Sequence, residues 1–475
     1  MSNNYERTLV WLRRDLRLYD NRALAEAASR SESIAICFVF DTNIIDKLHD
    51  KDDRRLTFIH DSLAELDAAL RKRGSQLIVR HGDPADEIPA LAKAIGAEAV
   101  LTNHDYDRYP KERDAEVRKR LEEEGRTLHT CKDQVVFERD EILNNAGEPY
   151  KVFTPYKKAW LARLRETDFA ELGESKVDLS GIAPAEELAA HSHSWQLEDL
   201  GFTRGNLWLK AGQSAGRERL CDFLGTIDRY KDERDFPAKD ATSGLSVHLR
   251  FGTVSIRECF REAMKHESKG RETWVSELIW REFYQMILDR FPHVRDEAFK
   301  QEYNELEWEG GEDRFAAWCE GRTGYPLVDA AMRHFNATGW MHNRLRMVTA
   351  MFLAKDLLVD WRRGERYFAR YLLDYDFASN NGGWQWCAST GVDAQPYFRV
   401  FNPVLQSKKF DPDGTYIREH VPEIQGFEKA LIHWPHDAGE MEQEMAKCSL
   451  GKEYPHPIVD HFEQKEKAIA MFKRE

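Results

Sequence analysis

The sequence predicts two structural classes in one chain: a doubly wound, Rossmann-like α/β part followed by a helical part. In the first third of the 475 residues, short apolar runs alternate with segments of helical periodicity, as in a parallel sheet covered by helices. A turn-rich, polar and weakly periodic stretch comes next, as expected of a long connector. Beyond it, strand-like alternation nearly vanishes and apolar residues recur at helical spacing. We therefore expect an α/β domain at residues 1–135, an interdomain linker at 136–205 and a helical domain at 206–475.

The α/β part should contain four buried strands separated by helices. The helix after the first strand has an N-cap signal at Asp20, and the helix before the third strand ends at Gly74 as a C-cap would. No G-x-G-x-x-G follows the first strand and no P-loop occurs anywhere, so the phosphate fingerprint of dinucleotide domains is missing. The fold alone therefore identifies no ligand. The predicted strands are TLVWL at 8–12, SIAICFVF at 33–40, QLIVR at 76–80 and AVLTN at 99–103.

The composition is that of an ordinary soluble globular protein. Hydrophobic residues make up 42% and charged residues 32% of the chain, and no apolar run reaches the roughly 18 residues that a membrane span needs. The seven cysteines are odd in number and form no C-x-x-C pair, which predicts neither a disulfide framework nor a zinc site. The amino terminus places charge on both sides of one short apolar run, unlike a signal peptide. We expect a cytoplasmic protein.

The charge is distributed unevenly. A net charge of −14 argues against indiscriminate coating of nucleic acid, which usually requires a basic surplus. Residues 331–410, however, hold eleven Lys and Arg against six Asp and Glu. This local surplus predicts either a basic face or a set of solvated helix faces with salt-bridge partners.

Three hydroxyl side chains and a glycine stand just ahead of a predicted helix. A helix start offers free backbone N–H groups and the positive end of the helix dipole to an anion, so a phosphate or pyrophosphate would fit here. An N-cap box on a flexible turn is the simpler interpretation. The residues are Thr242, Ser243, Gly244, Leu245 and Ser246.

A second candidate site consists of aromatic and charged residues that recur at three- and four-residue spacing in TWVSELIWREFYQMI, residues 273–287. One helical face would present indoles, a carboxylate and a guanidinium together, which suits stacking and bidentate bonding to a flat, charged ligand. An aromatic core stripe with a rim ion pair remains the alternative. The residues are Trp274, Glu277, Trp280, Arg281 and Tyr284.

A third candidate opens another predicted helix in TGWMHNRLRMVTAMF. Arg344 and Met347 are three residues apart, close to Asn343 and Arg346. An arginine could reach a phosphate here while the thioether packs against an aromatic plane, although methionine on a helix is more often core filler.

The stretch DYDFASNNGGWQWCAST at 374–390 combines acids, amides, glycines and indoles. We interpret the glycines as a turn that lets a planar ring approach the backbone. If Trp384 and Trp386 follow on one helix, they point about 200° apart and cannot share a task. Asp374 and Asp376 lack a third ligand nearby, so a metal site is disfavoured.

These motifs together resemble the DNA photolyase and cryptochrome family over nearly the whole chain. Several long motifs match in order, so a chance coincidence is negligible. They are WLRRDLRLYDN at 11–21, YKVFTPYKKAW at 150–160, RDFPAKDATSGLS at 234–246, ELIWREFY at 277–284 and the segment 370–403.

The resemblance implies an FAD folded inside the helical domain. Residues 242–246, the hydroxyl loop, would bind the FAD pyrophosphate. Asp374 and Asp376 would contact the flavin ring and ribitol, and Asn380 would face flavin N5. An amide at that position does not readily donate a proton, which suits a reduced flavin. The implied FAD contacts are Tyr230, Thr242, Ser243, Gly244, Leu245, Ser246, Trp274, Glu277, Arg281, Asn343, Asp374, Tyr375, Asp376 and Asn380.

The resemblance also implies an electron-transfer chain and a DNA site. Trp384, Trp361 and Trp308 match the chain that leads from the flavin to the surface. The implied DNA contacts are Arg234, Glu277, Trp280, Arg281, Asn343, Arg344, Met347, Trp386 and Arg399, of which Glu277, Met347 and Trp386, together with Asn380, are the implied catalytic residues.

The implied activity is light-driven repair of cyclobutane pyrimidine dimers in DNA. Members that act on the (6-4) lesion carry a histidine where this chain has Met347. In the implied reaction, light excites anionic reduced FAD, one electron passes to the flipped-out dimer, the cyclobutane ring opens and the electron returns. A cryptochrome-type receptor without repair activity and a light-independent FAD oxidoreductase are the alternatives, and the chain's length leaves no room for the long tail of many cryptochromes.

The implied partners are few. We expect a monomer that acts on bacterial nucleoid DNA without an obligate protein partner. A second, antenna chromophore of the folate or deazaflavin type is expected in the α/β domain. Folate is doubtful, because this chain has Pro110 and Lys111 where folate-binding members carry an Asn-Glu pair.

Overall fold

The computed structural model describes residues 5–171 and 179–473. Its contacts group the chain into two compact units. The first consists of Met1–Pro149, Tyr156–Asp228 and Ser243–Asp289, and the second of Tyr150–Pro155, Arg229–Thr242 and Arg290–Glu475. The predicted domain limits at 135 and 205 stay predictions, and residues 172–178 of the predicted linker lie outside the described residues.

The first unit is built on a five-stranded, all-parallel sheet. Its strand order, β3-β2-β1-β4-β5, is that of a doubly wound fold whose order reverses beside β1. In β1 and β2 the carboxyl halves are wholly buried, as expected for strands covered on both faces. The strands are β1 Tyr5–Leu12, β2 Ser31–Asp41, β3 Ile78–Gly82, β4 Ala99–Asn103 and β5 Thr127–Cys131.

The four predicted strands are present, with one shifted by two residues. Pairing of β3 with β2 begins at Ile78, opposite Cys37, because the N–H of Leu77 instead donates to the carboxylate of Asp67 at 3.0 Å. The fifth strand, Thr127–Cys131, was not predicted because only one of its five residues is fully buried, so it lacks an apolar run.

The helices of the first unit begin at short polar caps that the sequence signals. The predicted cap at Asp20 is wrong by one residue: the side chain of Asn21 accepts from the N–H of Leu24, while Asp20 has a positive φ of 44° and pairs with Arg257. The helices are α1 Arg22–Arg30, α2 Thr42–Ile45, α3 Arg54–Arg71, α4 Pro84–Ala94, α5 Arg108–Glu123, α6 Phe153–Arg163, which begins in the second unit's residues, α7 Ala185–Leu188, α8 Gln213–Leu224, α10 Ser246–Phe251, α11 Ile256–Ala263 and α12 Lys269–Arg290.

The second unit is helical and packs around one large apolar core. The core lies mainly between α14, α15, α16 and α17, and a π-helical segment, Phe352–Asp356, continues α15. The helices are α9 Tyr230–Glu233, α13 Glu312–Glu320, α14 Pro326–Thr338, α15 Asn343–Met351, α16 Trp361–Tyr371, α17 Phe377–Ala388, α18 Pro403–Phe410, α19 Thr415–His420, α20 Glu440–Ala446 and α21 His461–Lys473. None of the helices in the described ranges is both long enough and apolar enough to cross a membrane.

Candidate functional site

Helix α17 carries the amides, glycines and indoles of the mixed stretch. It begins at Phe377 because the carboxylate of Asp376 caps it, accepting from the N–H and the hydroxyl of Ser379 at 3.0 Å each. The predicted glycine turn is therefore wrong, since Gly382 and Gly383 lie inside the helix. A Cβ added at Gly383 would still meet no atom within 4 Å, among the residues described, so this side of the helix is open.

The two tryptophans of α17 face different environments, as their helical spacing predicts. Trp384 is 2% exposed and packs its ring against Phe368 at 5.0 Å between centroids. Trp386 is only partly buried, at the edge of the same apolar core. A side chain on Gly364 of α16 would collide with the Trp384 indole, so the glycine is what lets this indole approach the helix backbone.

Asp374 is a buried carboxylate with one unused oxygen. Its Oδ2 accepts from Arg346 at 2.7 Å, whereas Oδ1 is buried and has no hydrogen-bond partner in the part of the chain that the structure describes. Such an atom is costly unless a further donor reaches it. A ligand N–H group, such as the edge of a flavin ring, would satisfy it.

Asn380 is oriented by a neighbouring helix. Its amide nitrogen donates to the backbone oxygen of Glu365 at 3.1 Å and to the Glu365 carboxylate at 2.9 Å. Both amide hydrogens are thus engaged, which leaves the amide oxygen as the group available to a ligand.

The three tryptophans of the predicted electron-transfer chain belong to one apolar core. Trp384 and Trp361 lie inside it, each 2% exposed, and Trp308 packs against it from the partly buried rim. Trp361 opens α16, where Asp360 caps the helix. The second unit therefore holds two of the three indoles in its core and the third at the rim of that core, and their role in electron transfer stays a prediction.

The start of α15 brings a cation and a thioether to one helix end. His342 caps the helix through Nδ1, which accepts from the N–H of Arg344, and burial lowers the pKa of His342 to about 4, so the ring is neutral at pH 7. The amide of Asn343 contacts the sulfur of Met347 at 3.9 Å. The Arg344 guanidinium pairs with Asp235 at 2.9 Å.

The remaining predicted positions of the second unit lie in two other segments. Arg234 follows α9 and stacks its guanidinium over the ring of Tyr230 at 5.1 Å. Arg399 precedes α18 and contacts Gln395 at 3.4 Å. Tyr375 is partly buried and lies between Asp374 and Asp376, the cap of α17. Thr242 is the last residue of the segment Arg229–Thr242 of this unit.

In the first unit, residues 243–246 of the hydroxyl loop lie against an arginine that the sequence motifs do not include. Gly244 has a φ of 62°, and Arg219 of α8 donates from Nε to the backbone oxygen of Ser243 at 2.7 Å. The loop leads through Leu245 directly into α10, which begins at Ser246. A guanidinium beside backbone N–H groups fits the pyrophosphate of a dinucleotide.

Helix α12 holds the second predicted group, also in the first unit. Trp274 is 2% exposed, and its ring centroid lies 4.9 Å from that of Phe223. Its assignment as an FAD contact stays a prediction. Glu277, Trp280 and Arg281 are partly exposed along the next turns. The aromatic face is continued by Tyr284, whose ring lies 5.5 Å from that of Trp280.

The antenna prediction rests on the first turn of α5. Lys111 there forms an ion pair with Asp289 at 2.5 Å. The identity of the antenna chromophore stays a prediction.

The two units define a protein of mixed α/β and all-α architecture with polar groups suited to a dinucleotide. A family model described as the FAD binding domain of DNA photolyase matches residues 274–474, and one described as DNA photolyase matches residues 8–174. The chain belongs to the DNA photolyase family, which confirms the resemblance.

Individual relatives and solved structures agree over nearly the full length. The deoxyribodipyrimidine photo-lyase of Halobacterium salinarum is 42% identical, with 98% of each chain covered. A class III photolyase from Agrobacterium tumefaciens superposes with a TM-score of 0.90 at 34% identity, covering 99% of this chain and 98% of that one. A Synechocystis cryptochrome superposes with a TM-score of 0.88 at 27% identity, covering 99% of this chain and all of the other. These likenesses confirm the predicted fold class.

Proposed function

We propose that this protein is a light-driven DNA photolyase that splits cyclobutane pyrimidine dimers with FAD as its cofactor. Helix α17 carries the proposal: it combines a capped start at Asp376, an oriented amide at Asn380, an open side at Gly383 and a buried indole at Trp384. A light-independent FAD oxidoreductase would have no use for the three indoles that lie in and at the rim of the core around this helix.

The residues present fit the cofactor. Within the second unit, the unpartnered oxygen of Asp374 and the amide oxygen of Asn380 would accept hydrogen bonds from the polar edge of a flavin. Within the first unit, Ser243 and Arg219 offer groups suited to a pyrophosphate. When bound and reduced, FAD supplies the light absorption and the electron that the repair requires. The chain's own groups bind it, orient it and exclude water from its surroundings.

The chain would recognise the dimer through a carboxylate and two indoles. Glu277 would accept hydrogen bonds from the bases, and its charge would act in a low-dielectric site where it is worth more than in water. Chemistry on a base requires its removal from the duplex, so the protein needs aromatic surfaces that can stack on an extruded dimer. Each unit offers one partly exposed indole for this task, Trp280 in the first and Trp386 in the second.

Met347 supports the cyclobutane dimer as the substrate. Its thioether is partly buried, contacts Asn343, and has no proton to transfer. Repair of a (6-4) lesion requires proton transfer at this position, according to the resemblance. The thioether instead offers a polarizable surface on which the flat bases of a dimer can pack.

Illumination of the FAD-loaded, reduced protein with two damaged duplexes, each with a dark control, tests the proposal. We expect blue light to restore the duplex with a thymine cyclobutane dimer, to leave the (6-4) duplex unchanged, and to give no repair in the dark. The similarity to a Synechocystis cryptochrome makes a photoreceptor the second candidate. A receptor would leave both lesions intact while its flavin still responds to light.

Replacement of Arg344 by alanine should weaken binding to dimer-containing DNA. We expect roughly tenfold lower affinity and a salt dependence whose slope falls by about one, because one phosphate contact is lost. Titration of labelled duplex at several salt concentrations measures both quantities.

The ion-pair partner of Arg344 offers a matched control. Asp235→Asn removes the carboxylate that competes with phosphate for this guanidinium, 2.9 Å away, and should strengthen binding. An unchanged salt slope in the Arg344→Ala protein would exclude this residue from the phosphate contacts.

A further inference from the structure

Glu282 is a buried carboxylate on α12 that the proposed reaction does not use. It is 1% exposed, and three N–H groups converge on it. Its Oε1 accepts from the backbone of Val136, and its Oε2 accepts from the backbone of Phe137 at 3.2 Å and from the indole of Trp160 at 2.7 Å. One side chain therefore joins α12 to the segment after β5 and to α6.

The neighbouring side chain of α12 binds the same segment. Arg281 donates to the backbone oxygen of Gln134, so two consecutive side chains of the helix form hydrogen bonds to backbone groups within Gln134–Phe137. Two such bonds at adjacent positions, about 100° apart around the helix, fix its rotation as well as its location.

Glu282 lies on a side of α12 that faces away from Glu277 and Trp280, the residues proposed to meet the lesion. At 100° per residue, Glu282 lies about 200° from Trp280 and about 140° from Glu277 around the helix. A rotation of α12 by a fraction of a turn would therefore displace Glu277 and Trp280 together.

We infer that Glu282 is a positioning residue: through its three accepted hydrogen bonds it sets the rotation of α12 that presents Glu277 and Trp280 to the lesion. This inference rests on the proposed function. Glu282 touches neither the substrate nor the cofactor in this account, and it acts only through the helix that carries it.

The ionisation of Glu282 gives the inference a distinctive signature. Burial raises its pKa to about 7, although the bonds from Val136, Trp160 and Phe137 and the charge of Arg281 oppose the shift. The other titratable groups that act on it are Tyr106 and Tyr156, and burial keeps the pKa of each well above its usual value, so both are neutral. Because all three donors require an acceptor, protonation of the Glu282 carboxyl weakens the hydrogen bonds that fix the rotation of α12.

Stability and selectivity should consequently respond to pH with opposite signs. A carboxyl whose folded-state pKa exceeds its unfolded value costs stability as the pH rises from about 4.5 to about 7, because the folded state then binds more protons than the unfolded state. The hydrogen bonds that Glu282 accepts, in contrast, strengthen as the pH rises to 7 and above, because the carboxylate forms. A residue of merely structural importance would make selectivity follow stability.

The test compares Glu282→Gln with the wild-type protein, both loaded with FAD. We measure the ratio of affinities for a duplex with one thymine cyclobutane dimer and for the same duplex undamaged. At pH 8 the variant should lose about tenfold of this preference, because an amide N–H replaces an acceptor opposite a donor. At pH 6 the wild-type preference should fall towards that of the variant, whose own preference stays flat between the two pH values.

Two further variants keep the test decisive. Glu272→Gln makes the same chemical change at an exposed position of α12 and should behave as wild type. Trp160→Phe removes one donor but keeps an aromatic ring, and should lose a few-fold of the preference at pH 8 even if the glutamine variant does not fold.

The outcomes separate the inference from the proposed function. Retention of the wild-type preference at pH 8 in Glu282→Gln and Trp160→Phe would overturn the positioning role while leaving the proposed function intact. A loss that is equal for damaged and undamaged DNA, or that tracks thermal stability across pH, would also overturn it. A wild-type protein with no preference for the dimer would overturn the proposed function, and the inference with it.

Discussion

Replacement of Trp384 by phenylalanine should strongly slow light-driven reduction of oxidised FAD but spare repair by protein that was reduced chemically beforehand. Trp384 is buried in the core that also contains Trp361, and phenylalanine keeps most of its contact with Phe368. A benzene ring is much harder to oxidise than an indole, so the electron supply fails while the fold persists. We expect photoreduction to slow by about a hundredfold or more.

Steady illumination with an external thiol, followed by the flavin absorption spectrum, measures the effect. Trp318→Phe is the matched control, because Trp318 is equally buried and its ring lies 6.0 Å from that of Trp384, yet it is outside the predicted chain. Normal photoreduction in Trp384→Phe, or simultaneous loss of repair in the pre-reduced protein, would contradict the assigned role.

Replacement of Asp374 by asparagine should largely empty the protein of FAD. The carboxylate pairs with Arg346 through one oxygen and keeps the other buried and unpartnered within the described part of the chain. Asparagine preserves the shape but removes the charge and presents an amide to either Arg346 or the ligand. The loss of one charged hydrogen bond, about 1.5–3 kcal/mol, corresponds to roughly ten- to a hundredfold weaker binding.

The flavin content of the purified protein and titration of the apoprotein with FAD measure this change. Asp360→Asn serves as control, because asparagine also caps helices well and Asp360 lies at the start of α16. Full retention of FAD by the Asp374→Asn protein would remove this carboxylate from the cofactor site. Circular dichroism of both variants excludes unfolding as the cause.

Much of the fold could be predicted because its signals are local. The buried strands follow from apolar runs, and the opposite burial of Trp384 and Trp386 follows from two positions on one helix. At α17, where prediction failed, a single cap decided the result. The hydrogen bond that the N–H of Ser379 donates to Asp376 starts α17 ahead of the glycines, and composition alone indicated a turn at that point.

The supporting residues of the site could not be predicted because their contacts are distant in sequence. Arg219 bonds to Ser243, 24 residues away, and Glu282 bonds to Val136, 146 residues away. Neither pairing leaves a trace in periodicity or spacing. In the motif that contains Glu282, Trp280 and Arg281 are recognisable from the sequence because an indole and a guanidinium suggest ligand binding by themselves. A carboxylate that acts by accepting from backbone N–H groups cannot be recognised in this way.

The central claim is that light reaching bound, reduced FAD drives the splitting of dimers in DNA. Its most direct test counts the dimers that remain in a short duplex as illumination of a small amount of the reduced protein proceeds. The account predicts that the number restored grows with exposure until it far exceeds the number of protein molecules, with none restored in darkness. Equal numbers of dimers in lit and dark samples, with FAD bound and reduced in both, would contradict it.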